Sequence, residues 1–214
     1  MKLSQITFKA MIILAASVLR ADNLVLVEGE GNQINLSGVT IGTPVFAGTG
    51  CAKGTVYPLL DLEKGELTVL FDDFFVEAGG SLRLARKNCA LSIPIHLPEG
   101  VGVALIGERI EGFNYLPDGA STVLNTESFL AGSKGEVLST HFEGSLEESF
   151  SVEKSTTVGD LSQTCCGQDA NLRVNTSLRV KTNSYGDYAL AAITRMGESS
   201  NSLVYQLQFS HCGQ

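Results

Sequence analysis

The residues of this 214-residue chain best placed to do chemistry are two adjacent carboxylates, Asp72 and Asp73. They lie inside the apolar segment Glu66-Leu67-Thr68-Val69-Leu70-Phe71-Asp72-Asp73-Phe74. Neighbours on a strand point to opposite faces, so the two cannot flank one scissile bond as an acid–base pair. One of them, joined by Glu77, Glu108 or Glu111, would make the two-carboxylate arrangement of a glycosidase. The structural alternative is ion pairing with Arg83, Arg86 or Lys87, because a buried carboxylate is costly unless paired. Ion pairs often imitate functional sites, and pairing is the expected role. Asp72, Asp73 and nearby backbone carbonyls would also be the residues to hold Ca²⁺, but no spaced Asp-x-Asp-x-Asp loop accompanies them, and no cofactor or metal is expected.

Other chemistries have less to start from. His96, His141 and His211 are scattered, and no Gly-x-Ser-x-Gly elbow accompanies them. Gly48-Thr49-Gly50 lacks the Lys and the helix of a phosphate loop and reads as a tight turn. A carbohydrate-binding surface needs exposed aromatic rings. The chain has no Trp, which leaves Tyr115, Tyr185 and Tyr188, all near predicted turns, as the candidate ligand contacts. Asn35-Leu36-Ser37 and Asn175-Thr176-Ser177 match the glycosylation acceptor pattern.

Five cysteines are present: Cys51, Cys89, Cys165, Cys166 and Cys212. In an exported chain the default for cysteines is disulfide bonding, and Cys51 with Cys89 is the local pairing. Zinc requires closely spaced ligand pairs. The close pairs are Cys165-Cys166 and His211-Cys212, neither at finger spacing.

The elements that must position these residues read as strands. Leu67 to Val76 is apolar on both faces, as in a strand covered on two sides. Thr55 to Leu60 alternates and can pair with it across Asp61–Gly65. In Ala90–Leu97 the alternation holds, but Pro94 cannot donate to a ladder, which predicts an edge or a bulge. Val101–Tyr115 is extended, with bends predicted at Gly107 and Gly112, and Ser121–Leu130 is a further strand. Leu138–Thr156 fits helix spacing through Phe142, Leu146 and Phe150, and strand alternation through Ser149–Val152. Leu172–Thr182 alternates cleanly, with Leu172, Val174, Thr176, Leu178 and Val180 inward. Leu203, Tyr205, Leu207 and Phe209 form the inward face of a last strand. Many short strands and 23 Gly predict an all-β, antiparallel β-sandwich in one domain, jelly-roll or immunoglobulin-like in order.

The start of the chain carries Lys2 and Lys9, then an apolar run from Ala10 to Leu19, with Ala21 before Asp22. That is the pattern of a secretory signal peptide, too short to span a bilayer, which makes 1–21 the expected signal and 22–214 the domain. The expected location is secreted or periplasmic. Removing Lys2, Lys9 and Arg20, with no acid, takes the net charge from −8 to −11. An acidic protein is a poor match for nucleic acid or anionic membranes, and no later segment reads as transmembrane.

Gly48-Thr49-Gly50-Cys51, the strand ending Leu70-Phe71-Asp72-Asp73-Phe74, and Arg86-Lys87-Asn88-Cys89 together resemble the domain-of-unknown-function 4360 family of small secreted proteins of fungi and bacteria. The resemblance continues through Ala90–Gly100, Cys166-Gly167 and Ala170–Val180 to Cys212. Two departures are Ala52, where the family has Pro, and Glu111-Gly112, where it tends to have Arg-Gly. The resemblance implies a second disulfide, Cys166 with Cys212, leaving Cys165 over, and favours strands for 138–156. The family has no established activity. The expected function is that of a non-enzymatic binding module at the cell surface or outside the cell, with a glycan or an envelope protein as partner. The rivals are a polysaccharide hydrolase using Asp72 or Asp73, and a structural envelope component.

Overall fold

Alternating apolar and polar residues become two packed antiparallel sheets in the computed structural model, which describes residues 26–27, 34–155, 167–193 and 202–211. The predicted signal segment and Cys165, Cys166 and Cys212 lie outside these residues, and so does the predicted second disulfide. Strands β1 (Leu26–Val27) and β2 (Ile34–Asn35) form a small ribbon. After them come β3 (Thr40–Ile41), β4 (Val45–Ala47), β5 (Val56–Asp61), β6 (Glu66–Phe71), β7 (Phe75–Ala78), β8 (Leu84–His96) and β9 (Val101–Leu116). The remainder are β10 (Ser121–Leu130), β11 (Val137–Glu143), β12 (Leu146–Ser155), β13 (Ala170–Lys181), β14 (Ala189–Ala192) and β15 (Ser202–His211). The described residues contain no helix; in particular, none is long and apolar enough to cross a membrane.

The first sheet has the order β11-β10-β13-β8-β3, with β4 also on β8. The second has the order β5-β6-β15-β9-β14-β7, with β12 on the other side of β9. Their inner faces meet in one apolar core that includes Val69, Phe71, Ile93, Leu124, Leu178 and Leu203. This is the predicted β-sandwich. Strands β11 and β12 close one seam between the sheets. There the rings of Phe142 and Phe150 lie 4.6 Å apart, and Lys154 bridges to Glu136 at 3.2 Å. Gly112, predicted as a bend, sits within continuous β9. A side chain there would meet the Phe150 ring at 2.2 Å, so glycine is required by packing rather than by curvature. Near Gly107 the β15 register skips Ile106, a bulge that adds twist.

Two expectations need correction. Leu67–Val76 is not one strand. β6 ends at Phe71 and β7 begins at Phe75, lying along the same flank of the sheet beside β15 and β14 respectively. Between them Asp72-Asp73-Phe74 makes a corner that resets the alternation. Phe71 and Phe74, three apart, are therefore both buried, and Phe75 turns outward. The strand containing Pro94 is not at an edge. β8 pairs with β13 on one side and with β3 and β4 on the other. Pro94 is tolerated because it faces the break between β3 and β4, where Gly42 N–H donates to its carbonyl at 2.9 Å and no donor is needed in return. The ambiguous 138–156 segment is the β11–β12 pair. At the far edge of the second sheet, Pro58 lies on β5, opposite Val69 of β6.

Candidate functional site

Cys51 and Cys89 are joined as expected, with Cα atoms 5.5 Å apart and both residues buried. The Gly48-Thr49-Gly50 turn before Cys51 is built to lie flat on β8. Gly50 N–H donates to Asn88 O at 2.9 Å, and Asn88 N–H donates to Thr49 Oγ1 at 3.2 Å. A Cβ on Gly48, whose φ is +141°, would sit 2.1 Å from Asn88 O, and one on Gly50 would meet the Phe74 ring at 2.5 Å. The motif is a docking surface for the disulfide, not an anion cradle.

Asp72 and Asp73 stand exposed at the corner after β6. Asp73 pairs with Lys87 at 3.5 Å, and the Lys87 ammonium also lies 4.5 Å from the centre of the Phe75 ring. The charge of Asp72 raises the Tyr57 hydroxyl above its ordinary titration range. Arg83 and Arg86 do not serve this pair. Arg83 donates to Asn183 O and Ser184 O at 2.8 and 2.9 Å, and Arg86 is exposed on the first sheet's outer face. The carboxylates proposed as hydrolytic partners are engaged elsewhere. Glu77 accepts from Tyr188, Glu111 pairs with Arg109 at 3.5 Å, and Glu108 is buried against Ser128. Glu108 shares a row with Leu67 through Tyr205. Asp72 lies five residues beyond Leu67, about 16 Å at the strand rise, too far for the ~5–9.5 Å of a glycosidase pair. Among the described residues no group of three or more His, Cys, Asp or Glu could hold a metal ion.

Two of the predicted tyrosines, Tyr115 and Tyr188, converge. On β9 the outward residues are Arg109, Glu111, Phe113 and Tyr115, alternating with buried Glu108, Ile110, Gly112 and Asn114. Cross-strand register puts Glu147, Tyr115, Leu190 and Glu77 in one row, and Ser149, Phe113, Ala192 and Phe75 in the next. The Tyr115 and Tyr188 rings are 6.0 Å apart at 39°, about 40% and 50% exposed respectively. The Tyr188 hydroxyl donates to Glu77 Oε1 at 2.5 Å. That bond to a carboxylate, with lesser burial and charge effects, pushes Tyr188 up to about 12. An alkaline titration followed by phenolate absorbance is expected to show one tyrosine ionising near 12. Glu77→Gln should return it toward the ordinary value of 10.0; an unchanged titration would show that the bond does not form in solution.

Tyr185 is the most exposed large hydrophobic side chain among the described residues, at 86%, on a turn that is heavily hydrogen-bonded. The Asn183 side-chain oxygen accepts from the N–H groups of Tyr185, Gly186 and Asp187, and its amide donates to Asp118 O and Asp187 Oδ2. Arg83 holds the same turn from beneath, and Gly80 N–H donates to Gly186 O at 2.8 Å. Sequence reasoning missed Phe75 and Phe113. Both belong to the same outer face, but Phe75 lies in a segment whose apolar residues read as a strand covered on both sides. The Phe75–Ala192–Phe113 row rests on the β7–β14–β9 register, and spacing along any one strand does not signal it.

The pattern of the family described as Domain of unknown function (DUF4360) matches residues 37–212. The protein is a member of the DUF4360 family. An "Uncharacterized secreted protein" of Arthroderma benhamiae (strain ATCC MYA-4681 / CBS 112371) is 24% identical to this DUF4360 chain over 155 residues, 71% of this chain. The match spans 63% of that relative's length. Among solved structures, TmCBM61 in complex with beta-1,4-galactotriose aligns with a TM-score of 0.27 and 13% identity, covering 78% of this chain and 88% of that one. The matched stretch of this DUF4360 member takes in the disulfide, the Asp72-Asp73 corner and the whole tyrosine cluster.

Proposed function

We propose that this chain is an exported, non-catalytic glycan-binding module that docks an uncharged sugar chain on the aromatic outer face of its second sheet. The observation that carries the reading is the Tyr115–Tyr188 pair beside a turn that holds Tyr185 almost fully exposed. An exposed aromatic ring on a loop fixed by so many hydrogen bonds is preorganised, so little ordering entropy is lost on binding. Aromatic faces offer apolar area to the C–H side of a sugar ring, and Glu77 and Glu147 in the same row offer acceptors to its hydroxyls. Export is supported by the basic-then-apolar start of the chain and by the secreted relative. No cofactor takes part in this reading.

The test is a glycan-array screen of the mature, oxidised protein, with Ca²⁺ and then with chelator, followed by titration of Tyr115→Ala and Tyr188→Ala with the best ligand. Selective binding that survives chelation and weakens at least tenfold in either variant is the expected result. Absence of binding in both conditions, or variants that bind as the parent does, would overturn the reading.

A further inference from the structure

The outer face of the first sheet carries a group of cations. Along β13 the exposed residues include Arg173, Asn175, Arg179 and Lys181. On the neighbouring β8, Arg86 stands directly opposite Arg179 in register. Like charges facing across a ladder are destabilising. No described carboxylate forms an ion pair with Arg86, Arg173, Arg179 or Lys181. Glu127, on adjacent β10, is instead engaged by Asn175 Nδ2 at 3.0 Å. A fold that keeps four cations without an ion-pair partner among the described residues on one face, within a chain of net charge −8, breaks a local rule in the way functional surfaces do.

The cations border a shaped surface. A groove of about 440 Å³ runs between Arg86 and Asn88 of β8, Asn175 and Ser177 of β13, and Asn125 and Glu127 of β10. A second depression of about 510 Å³ shares Ala90 and Asn175 with it and ends at Arg173. From Arg179 to Arg173 is six residues, roughly 20 Å of strand. The result is a track with guanidinium groups at both ends and a small side chain, Ala90, on its floor; between the ends lie amides, a hydroxyl and one carboxylate, Glu127, which Asn175 engages. One small anion cannot reach both ends, whereas a polymer with repeated negative charges can. Guanidinium groups are well matched to carboxylate and sulfate oxygens, and amides supply both donors and acceptors for hydroxyls.

We propose that this track binds an acidic polysaccharide, with its carboxylate or sulfate groups on Arg86, Arg179 and Arg173 and its hydroxyls on Asn88, Asn125 and Asn175. The site is on the opposite sheet from the aromatic face and does not depend on it. The test is affinity electrophoresis of the mature, oxidised chain through gels carrying polygalacturonate, dextran sulfate or neutral dextran. Retardation by at least one acidic polymer and not by neutral dextran is expected, weakening as salt is raised. The stronger of the two acidic polymers names the anionic group. Arg86→Gln/Arg179→Gln should lose at least tenfold in affinity with an unchanged or higher melting temperature, since the substitution relieves the facing charges. Tyr115→Ala/Tyr188→Ala should be retarded as the parent is, which separates this site from the aromatic one. Free passage of the parent through both acidic gels would overturn the proposal, as would full retardation of the double Gln variant. Displacement by polyphosphate at equal charge would overturn the saccharide assignment in favour of general polyanion binding.

Discussion

Replacing Cys51 and Cys89 together by Ala is expected to lower the unfolding free energy by about 4 kcal/mol, the chain-entropy value for a bridge spanning 38 residues. The loop so closed contains the whole β5–β6 hairpin, the Asp72-Asp73 corner and β7, and the bridge ties all of it to β8. Domains of this size are stable by about 5–15 kcal/mol, so the variant should lie near the edge of folding. Urea unfolding of the two proteins checks this. The midpoint should fall sharply, and the m-value should rise because the unlinked unfolded chain exposes more surface. A loss under about 1 kcal/mol would show that the Gly50–Asn88 and Asn88–Thr49 hydrogen bonds hold the loop without the bridge.

Glu108→Gln is expected to flatten the dependence of stability on pH. Glu108 is 6% exposed. One oxygen accepts from Ser128, and the other has no partner among the described residues. Directly across the ladder, the fully buried Tyr205 hydroxyl is also without a partner there. Burial pushes the Glu108 carboxyl above its ordinary 4.5, with Ser128 and the Lys154 charge offsetting part of the effect. Burial, and secondarily the Glu108 charge, raises the Tyr205 hydroxyl as well. The sign follows from proton counting. Above pH 4.5 the unfolded chain releases the Glu108 proton while the folded protein retains it, so the folded state binds more protons. Its contribution to stability is therefore fully present below pH 4.5 and is lost as pH rises through the raised folded value. The slope is at most about 1.4 kcal/mol per pH unit. The Gln variant, neutral throughout, should gain on the parent as pH rises across this window. A difference between the two that stays constant with pH would show that Glu108 is ionised in the fold at no cost. Tyr205→Phe, which removes a buried hydroxyl with no described partner, should be neutral or stabilising.

The sequence was most readable where one face is buried and the other is wet. Leu172–Thr182 alternates because β13 lies mid-sheet with one side on the core, and each predicted inward residue is buried. The β5–β6 hairpin was legible from its turn, and the Cys51–Cys89 bridge from its spacing. The break at Asp72-Asp73 was not, because apolar residues occur on both sides of it and a three-residue corner leaves hydrophobicity unchanged while reversing the faces. Pro94 misled because its rule is about one backbone nitrogen, not a whole strand, and a gap between two short partners satisfies it. The tyrosines were found as exposed aromatics near turns. Their convergence with Phe75 and Phe113 depends on which strands are neighbours, and so does the Arg86–Arg179 opposition.

Pro58 has a consequence for the chain at high concentration. β5 is the last strand on its side of the second sheet, and Tyr57 and Leu59 are exposed on it. Such a rim invites another chain to add as the next strand, the first step toward fibres. A proline in the middle of that six-residue strand removes one of the donors an incoming chain would need. The protein therefore carries its own stop against edge-to-edge growth at a rim where apolar side chains would otherwise encourage it.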